Sequence, residues 1–220
     1  MEPLNILMLG TQGSGKGTQA ARLARLLNIP TISTGEILRN EIDKGTELGK
    51  LANSYIRRGN LVPDDLISSI VRKTLLKDEY AKGVILDGYP RNIVQAETLD
   101  DFLDLNYVIL IDISDSEAVK RVTGRRICTK CGANYHIDYK PPKEEGVCDK
   151  CGAVLEIRED SEPEAVETRL NVYHLQTEPL VGYYEDRGIL IKVNGEQKIP
   201  EVYEEILNKL KQHGLHYEKK

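Results

Sequence analysis

Nine residues near the start of the chain could do phosphate chemistry. They are Gly10-Thr11-Gln12-Gly13-Ser14-Gly15-Lys16-Gly17-Thr18, four glycines and one lysine in a single run. Glycine lacks a Cβ, so successive backbone N–H groups can turn inward around an anion. The run follows the apolar stretch Leu4 to Leu9 and opens a segment with Ala20, Leu23, Leu26 and Leu27 on one helical stripe. A strand, loop and helix in that order would aim a helix N-terminus at a bound phosphate. Lys16 would then supply a compact positive charge to the phosphoryl group in transfer. A glycine-rich turn that merely joins strand to helix is the competing reading. Gly17 stands between Lys16 and Thr18, a departure from the common Gly-Lys-Ser/Thr ending.

A second set of reactive residues is Cys128-x-x-Cys131 and Cys148-x-x-Cys151, with sixteen residues between the pairs. This is zinc-site spacing. Gly132 and Gly152 follow the pairs and permit the tight turn that gathers two thiolates around one metal. Four sulfurs would fill a tetrahedron and leave no open position, so the expected zinc is structural. Two disulfides or a redox pair are the alternatives, and a reducing compartment disfavours both. His136 lies nearby, but four thiolates saturate zinc; it is expected to face solvent or nucleotide. Asp87 ends the apolar run Val84 to Leu86. A carboxylate at a strand's C-terminal end points into the ligand crevice of open α/β sheets and can organise Mg²⁺ through bound waters. Gly88 after it equally allows a turn or cap aspartate.

These residues need a frame. The 220 residues suffice for one buried domain with a smaller insertion. Apolar residues make up 40% and charged residues 30%, and runs such as Tyr107 to Ile113 are too short to cross a bilayer. Met1 to Gly10 shows no basic segment or cleavage site, so it reads as a first strand and not a secretion signal, and the expected location is cytoplasmic. A net charge of -5 weakens the case for a nucleic-acid partner. Further apolar runs at Val84 to Leu86, Tyr107 to Ile113 and Ile189 to Val193 alternate with helical stretches. That alternation predicts an α/β fold with a parallel sheet covered on both faces. Ser33-x-x-Glu36, Ser114-x-x-Glu117 and Ser161-x-x-Glu164 each read as a capping box opening a helix. Residues 33–62 carry two helical patterns, and residues 124–161 carry the cysteines. Both read as insertions into a core of 1–32, 63–123 and 162–220.

Four stretches in order, the loop above, Ser33-Thr34-Gly35-Glu36 with Arg39, Asp87-Gly88-Tyr89-Pro90-Arg91, and Gly124-Arg125-Arg126, resemble the adenylate kinase family over nearly the whole chain. Tyr89 stands where phenylalanine is usual and Gln12 where proline is usual; neither removes a phosphate ligand. The resemblance implies a three-layer P-loop fold with a five-stranded parallel sheet, a helical AMP-binding insertion and a small zinc-binding lid. It implies reversible, Mg-dependent phosphoryl transfer from ATP to AMP, giving two ADP, by a monomer. ATP would lie on Gly13, Ser14, Gly15, Lys16, Gly17 and Thr18, with Arg121 stacked on its adenine and Asn134, Tyr135 and Gln197 beside it. AMP would lie among Thr34, Asn60, Leu61, Val62, Gly88, Tyr89, Pro90 and Gln95. Arg39 and Arg91 would grip the AMP phosphate, while Arg125, Arg158 and Arg169 close over the group in transfer. The chemistry asks for the same set: charge concentrated between two polyphosphates is best met by the rigid forks of several arginines. Any one arginine alone could be a solvated surface residue, and Gln95 a surface glutamine.

Two other functions compete. One is a kinase for a different nucleoside monophosphate, UMP or CMP. The other is a nucleotide-gated binding module whose zinc ribbon contacts nucleic acid; the acidic balance and the arginine set argue against it.

Overall fold

The computed structural model describes residues 3–157, 161 and 163–216. Strands β1 (Leu4–Leu9), β2 (Thr31–Ser33), β3 (Gly83–Asp87), β4 (Tyr107–Asp112) and β7 (Leu190–Asn194) form a parallel sheet in the order β2-β3-β1-β4-β7. The expected parallel sheet is present. β2 has only three residues and one buried apolar side chain, Ile32, so it leaves almost no pattern in the sequence.

Alternation along the strands divides the core. Leu7, Leu86, Val108 and Leu110 face one side. Against them pack α4 (Asp64–Leu75), α5 (Ile93–Asp100) and α8 (Pro179–Glu185), together with Leu38 of α2 (Thr34–Asp43) and Ala52 of α3 (Glu47–Ile56). Ile6, Met8, Ile85, Ile109 and Ile111 face the other side, against α1 (Lys16–Leu27) and α9 (Ile199–Gln212). A sheet buried on both faces explains why its strands read as continuous apolar runs.

Residues 34–56 form α2 and α3, joined by a tight turn at Gly45. After α6 (Asp115–Thr123) the chain leaves the sheet as β5 (Arg125–Ile127), which pairs antiparallel with β6 (Asn134–His136). Glu156 closes the other side of β5 through reciprocal bonds with Ile127, both 2.8 Å. α7 (Pro163–Val172) then leads through a π-helical turn, Tyr173–Thr177, into α8. Among the described residues no helix is long and apolar enough to cross a membrane.

The capping expectations are met unevenly. Ser114 accepts from the Glu117 N–H at 3.4 Å, while the Glu117 carboxylate turns to Arg121 and Tyr139 instead of closing the box. Ser33 sits at the start of α2 with no side-chain capping bond. The third box includes residue 162, outside the described residues.

Candidate active site

The glycine loop leaves β1 at its C-terminal end and turns directly into α1. Gly10, Gly13 and Gly15 take φ of 137°, 81° and 98°, a region other residues rarely adopt. At Gly13 a Cβ would also lie 3.1 Å from the Ala118 carbonyl oxygen and 3.2 Å from the Arg121 Cβ, so the loop passes tight against α6. Lys16 is the first residue of α1. Its Nζ curls back to donate to the Gly10 and Thr11 carbonyls at 2.7 Å each, with Ser14 Oγ at 3.5 Å. Gln12 ties the loop to α7 by donating to the Val166 carbonyl at 3.2 Å.

Burial pushes the Lys16 ammonium down from 10.5 to about 8; Asp87 opposes the change, and Arg91, Arg169 and Arg125 add to it. One group thus senses four charges from three chain segments, 87–91, 125 and 169. Asp87, at the end of β3 and in register with Met8 and Ser33, projects over the start of α1. A Cβ at Gly17 would lie 3.2 Å from its Oδ2. Gly17 and Thr18 themselves are exposed.

Beside the loop lies a cleft lined by Thr34, Arg39, Asn60, Leu61, Val62, Gly88, Arg91, Gln95 and Arg169. Gly35, Leu38, Ile56, Gly59 and Ile67 complete its wall; Gly35 stands in the Ser33-to-Glu36 stretch without a role of its own, and the other four were not singled out by the sequence. Their signal was only that of a helix face or a turn. Thr34 Oγ1 donates to the Gly88 carbonyl at 2.8 Å, and Arg91 Nε donates to the same oxygen at 2.8 Å. Thr177 of the π turn donates to the Arg91 carbonyl at 2.6 Å. Gly59, with φ 75°, lets α7 approach: a Cβ there would be 2.8 Å from the Ala165 carbonyl and 3.0 Å from Arg169 Cγ. That approach carries Arg169 into the cleft.

Tyr89 and Pro90 do not line the cleft with their side chains. Tyr89 is fully buried, and its hydroxyl bridges Ser68 Oγ at 2.9 Å and the Gln95 carbonyl at 3.1 Å. Its hydroxyl gives this tyrosine a buried scaffolding part that phenylalanine could not play.

Across α6, Arg121 donates to Glu117 Oε1 at 2.7 Å, and the Tyr139 hydroxyl donates to the same oxygen at 2.7 Å. The Arg121 guanidinium lies 5.3 Å from the Tyr139 ring centroid. Glu117 and Tyr139 therefore orient Arg121; the i,i+4 spacing of Glu117 and Arg121 is a local signal, whereas no local pattern announces Tyr139. Asn134 is exposed. Tyr135 turns inward, where its hydroxyl accepts from the Asp149 N–H at 2.8 Å and meets Cys148 Sγ at 3.5 Å. Gln197 donates to the Asn194 carbonyl at 3.1 Å and to Glu205. Arg158 lies outside the described residues. His136 differs from expectation: it is 8% exposed, and its Nδ1 accepts the Asp138 and Tyr139 N–H groups at 2.9 and 3.2 Å. The turn after β6 draws the ring in against Gly124, which has no Cβ to exclude it.

The two cysteine turns are near copies. Cys128 N–H donates to Ala133 at 2.9 Å and Gly132 N–H returns to Cys128 at 2.9 Å; Cys148, Ala153 and Gly152 repeat the pattern at 2.8 Å. Gly132 and Gly152 have φ of 71° and 69°. All four sulfurs lie within 4.8 Å of one another, the closest pairs at 3.4 and 3.5 Å. Zinc–sulfur bonds of about 2.3 Å place tetrahedral sulfurs roughly 3.8 Å apart, so the donor set fits one zinc ion.

The family model described as adenylate kinase matches residues 8–189. An adenylate kinase of Oceanobacillus iheyensis is 47% identical over 208 residues, 92% of this chain and 97% of that protein. One of Caldanaerobacter subterraneus subsp. tengcongensis is 48% identical over 208 residues, 92% of this chain and 94% of that protein. One of Caldicellulosiruptor bescii is 45% identical over 212 residues, 94% of this chain and 99% of that protein. A phosphate loop, a converging arginine set and a four-thiol centre on one parallel sheet agree with these matches: the chain belongs to the adenylate kinase family of nucleotide-binding phosphotransferases.

Proposed function

We propose that the chain moves the terminal phosphoryl group of ATP to AMP, reversibly and with Mg²⁺, yielding two ADP and balancing the adenine nucleotides. The observation that carries this reading is Lys16, whose charge is shaped at once by Asp87, Arg91, Arg125 and Arg169. Such a centre suits a transition state in which negative charge is spread over phosphoryl oxygens.

In this reading the glycine loop holds the ATP phosphates through backbone N–H groups and Lys16 follows the group in transfer. Arg39 and Arg91 hold the AMP phosphate from the cleft. Arg125 and Arg158 close over the group in transfer from the lid side, Arg169 joins them from the cleft wall, and Arg121 covers the ATP adenine. Mg²⁺ brought with ATP would offset the phosphate charge, and Asp87 would hold it through its waters. Asn134, Tyr135 through its backbone, and Gln197 border the ATP adenine. Thr34, the backbone of Asn60 to Val62 and of Gly88 to Arg91, and Gln95 select AMP. Residues 33–62 act as the AMP-binding insertion and 124–161 as the lid, on a core of 1–32, 63–123 and 162–220. Cys128, Cys131, Cys148 and Cys151 hold a structural zinc with no open position for substrate. Thiolate ligands call for a reducing compartment, which supports a cytoplasmic location. The net charge of -5 weighs against a nucleic-acid partner, and the family resemblance supports a monomer.

The test is acceptor choice with ATP as donor. AMP is expected to exceed GMP, CMP and UMP in kcat/KM, and Gln95→Ala to erode that preference more than turnover with AMP. A preference for UMP or CMP would move the chain to another acceptor class.

A further inference from the structure

The cleft wall contains an amide held at both ends. Gln95 of α5 is 2% exposed. Its Oε1 accepts the Arg91 backbone N–H at 2.7 Å, and its Nε2 donates to Asp64 Oδ1 at 2.7 Å. Asn92 Nδ2 donates to the same Asp64 oxygen at 2.9 Å, and Asn92 Oδ1 accepts the Gln95 N–H at 2.8 Å. A carboxylate only accepts and a backbone N–H only donates. Turning the amide over would set Oε1 against the Asp64 carboxylate and Nε2 against the Arg91 N–H. Both contacts would be repulsive, so one orientation is imposed.

A primary amide has two N–H donors and two lone pairs. One of each is used here, leaving a donor at Nε2 and an acceptor at Oε1. Adenine presents an acceptor, N1, beside a donor, the 6-amino group, and matches that order. A 6-oxopurine presents a donor, N1–H, beside an acceptor, O6, and needs the amide reversed. We propose that Asp64 is a positioning residue for acceptor specificity: by fixing the Gln95 amide it admits 6-aminopurine monophosphates and rejects 6-oxopurine ones. Rejection then comes from a repulsive arrangement as well as from a lost bond. This rests on Gln95 facing the adenine of AMP, as read above.

Asp64 also opens α4, where any carboxylate is favoured by the helix dipole. Asp65 shares that first turn and is exposed, so it separates the two roles. The experiment compares kcat/KM for AMP and IMP, with ATP as donor, in the parent, Asp64→Ala, Asp64→Asn, Asp65→Asn, Gln95→Ala and the Asp64→Asn/Gln95→Ala double variant. The AMP-to-IMP ratio should fall about tenfold in Asp64→Ala, the scale of one charge-assisted hydrogen bond, and less in Asp64→Asn. KM for AMP should rise while KM for ATP does not. Asp65→Asn should keep the parental ratio. Asp64→Asn should have no further effect on the ratio once Gln95 is alanine. If Gln95→Ala lowers the ratio but Asp64→Asn does not, or if Asp64→Asn acts equally without Gln95, the positioning role is wrong and the reading of Gln95 stands. If Gln95→Ala leaves the ratio unchanged, the adenine is read elsewhere and both ideas fall. Should Asp64→Ala not fold, Asp64→Asn decides.

Discussion

At the scale of single residues, the proposed function concentrates the chemistry on Lys16. Removing its charge while keeping its stem, as in Lys16→Met, should lower kcat by about a thousandfold or more, because that charge acts chiefly on the transition state. Circular dichroism should show the fold intact; near-parental turnover in the folded variant would remove the assigned role. The depressed pKa adds a signed expectation. With a value of about 8 in the free protein, Lys16 is largely neutral above that pH. A bound triphosphate favours the charged form and raises the pKa, so ATP binding should take up a proton near pH 8.5. Titration calorimetry in buffers of different ionisation enthalpy measures this uptake, and Lys16→Met should abolish it. For the same reason kcat/KM for ATP, which reports the free enzyme, should decline as pH rises through about 8. Lys16 and the four cysteines were legible because their chemistry is written in contiguous motifs. Asp64 was not, since its partner Gln95 stands 31 positions away and no local pattern joins them. The bond between Tyr139 and Glu117 was hidden in the same way, 22 positions apart.

At the scale of elements, long buried strands such as β1 and β4 were read correctly because both faces are apolar. The three-residue β2 has one buried residue and gave no signal. Ser33 was misread as a capping-box residue because the four-residue spacing fits, yet its hydroxyl makes no capping bond. The π turn at Tyr173–Thr177 has no sequence period of its own, although Thr177 uses it to reach Arg91. The cysteine segment yields a prediction at this scale. Its buried cluster consists of Cys128, Ala133, Tyr135, Cys148 and Leu155, while Ile137, Val154 and Ile157 are more than half exposed. So small a core offers little to order two turns, and a zinc held as proposed would supply the rest; zinc-finger peptides gain about 10–16 kcal/mol from theirs. Cys148→Ser removes one ligand and the Tyr135 contact to it. The melting temperature should fall by roughly 5 °C or more, while initial rates at low temperature fall only modestly. Should a folded, zinc-free preparation lose as much activity in the cold as Lys16→Met, the metal would be taking part in the chemistry.

At the scale of the whole molecule, the phosphate loop is the fixed point between two protruding segments. One is the α2–α3 pair, which lines the cleft through Thr34, Arg39 and Ile56. The other is the cysteine segment, which begins with Arg125 on β5. α7 touches both sides, bonding Gln12 of the loop and passing over Gly59 at the cleft. A phosphoryl group held in an open crevice would pass to water as readily as to AMP, so transfer without wasteful hydrolysis requires closure over both nucleotides. The adenylate kinase lid is itself a familiar case of such closure, so general analogy adds to the physical argument. Three outcomes are expected when a bisubstrate analogue joining two adenosines is added. The radius of gyration from X-ray scattering should fall. Amide exchange should slow in both residues 33–62 and 124–161, more than in the central strands. In Cys148→Ser, where the cysteine segment is loosened, ATP hydrolysis without AMP should rise relative to transfer, because the same loss of order that admits water leaves Lys16 in place. Scattering profiles that superimpose with and without the analogue, together with an unchanged ratio of hydrolysis to transfer, would mean that water is excluded by the static crevice and that neither segment closes.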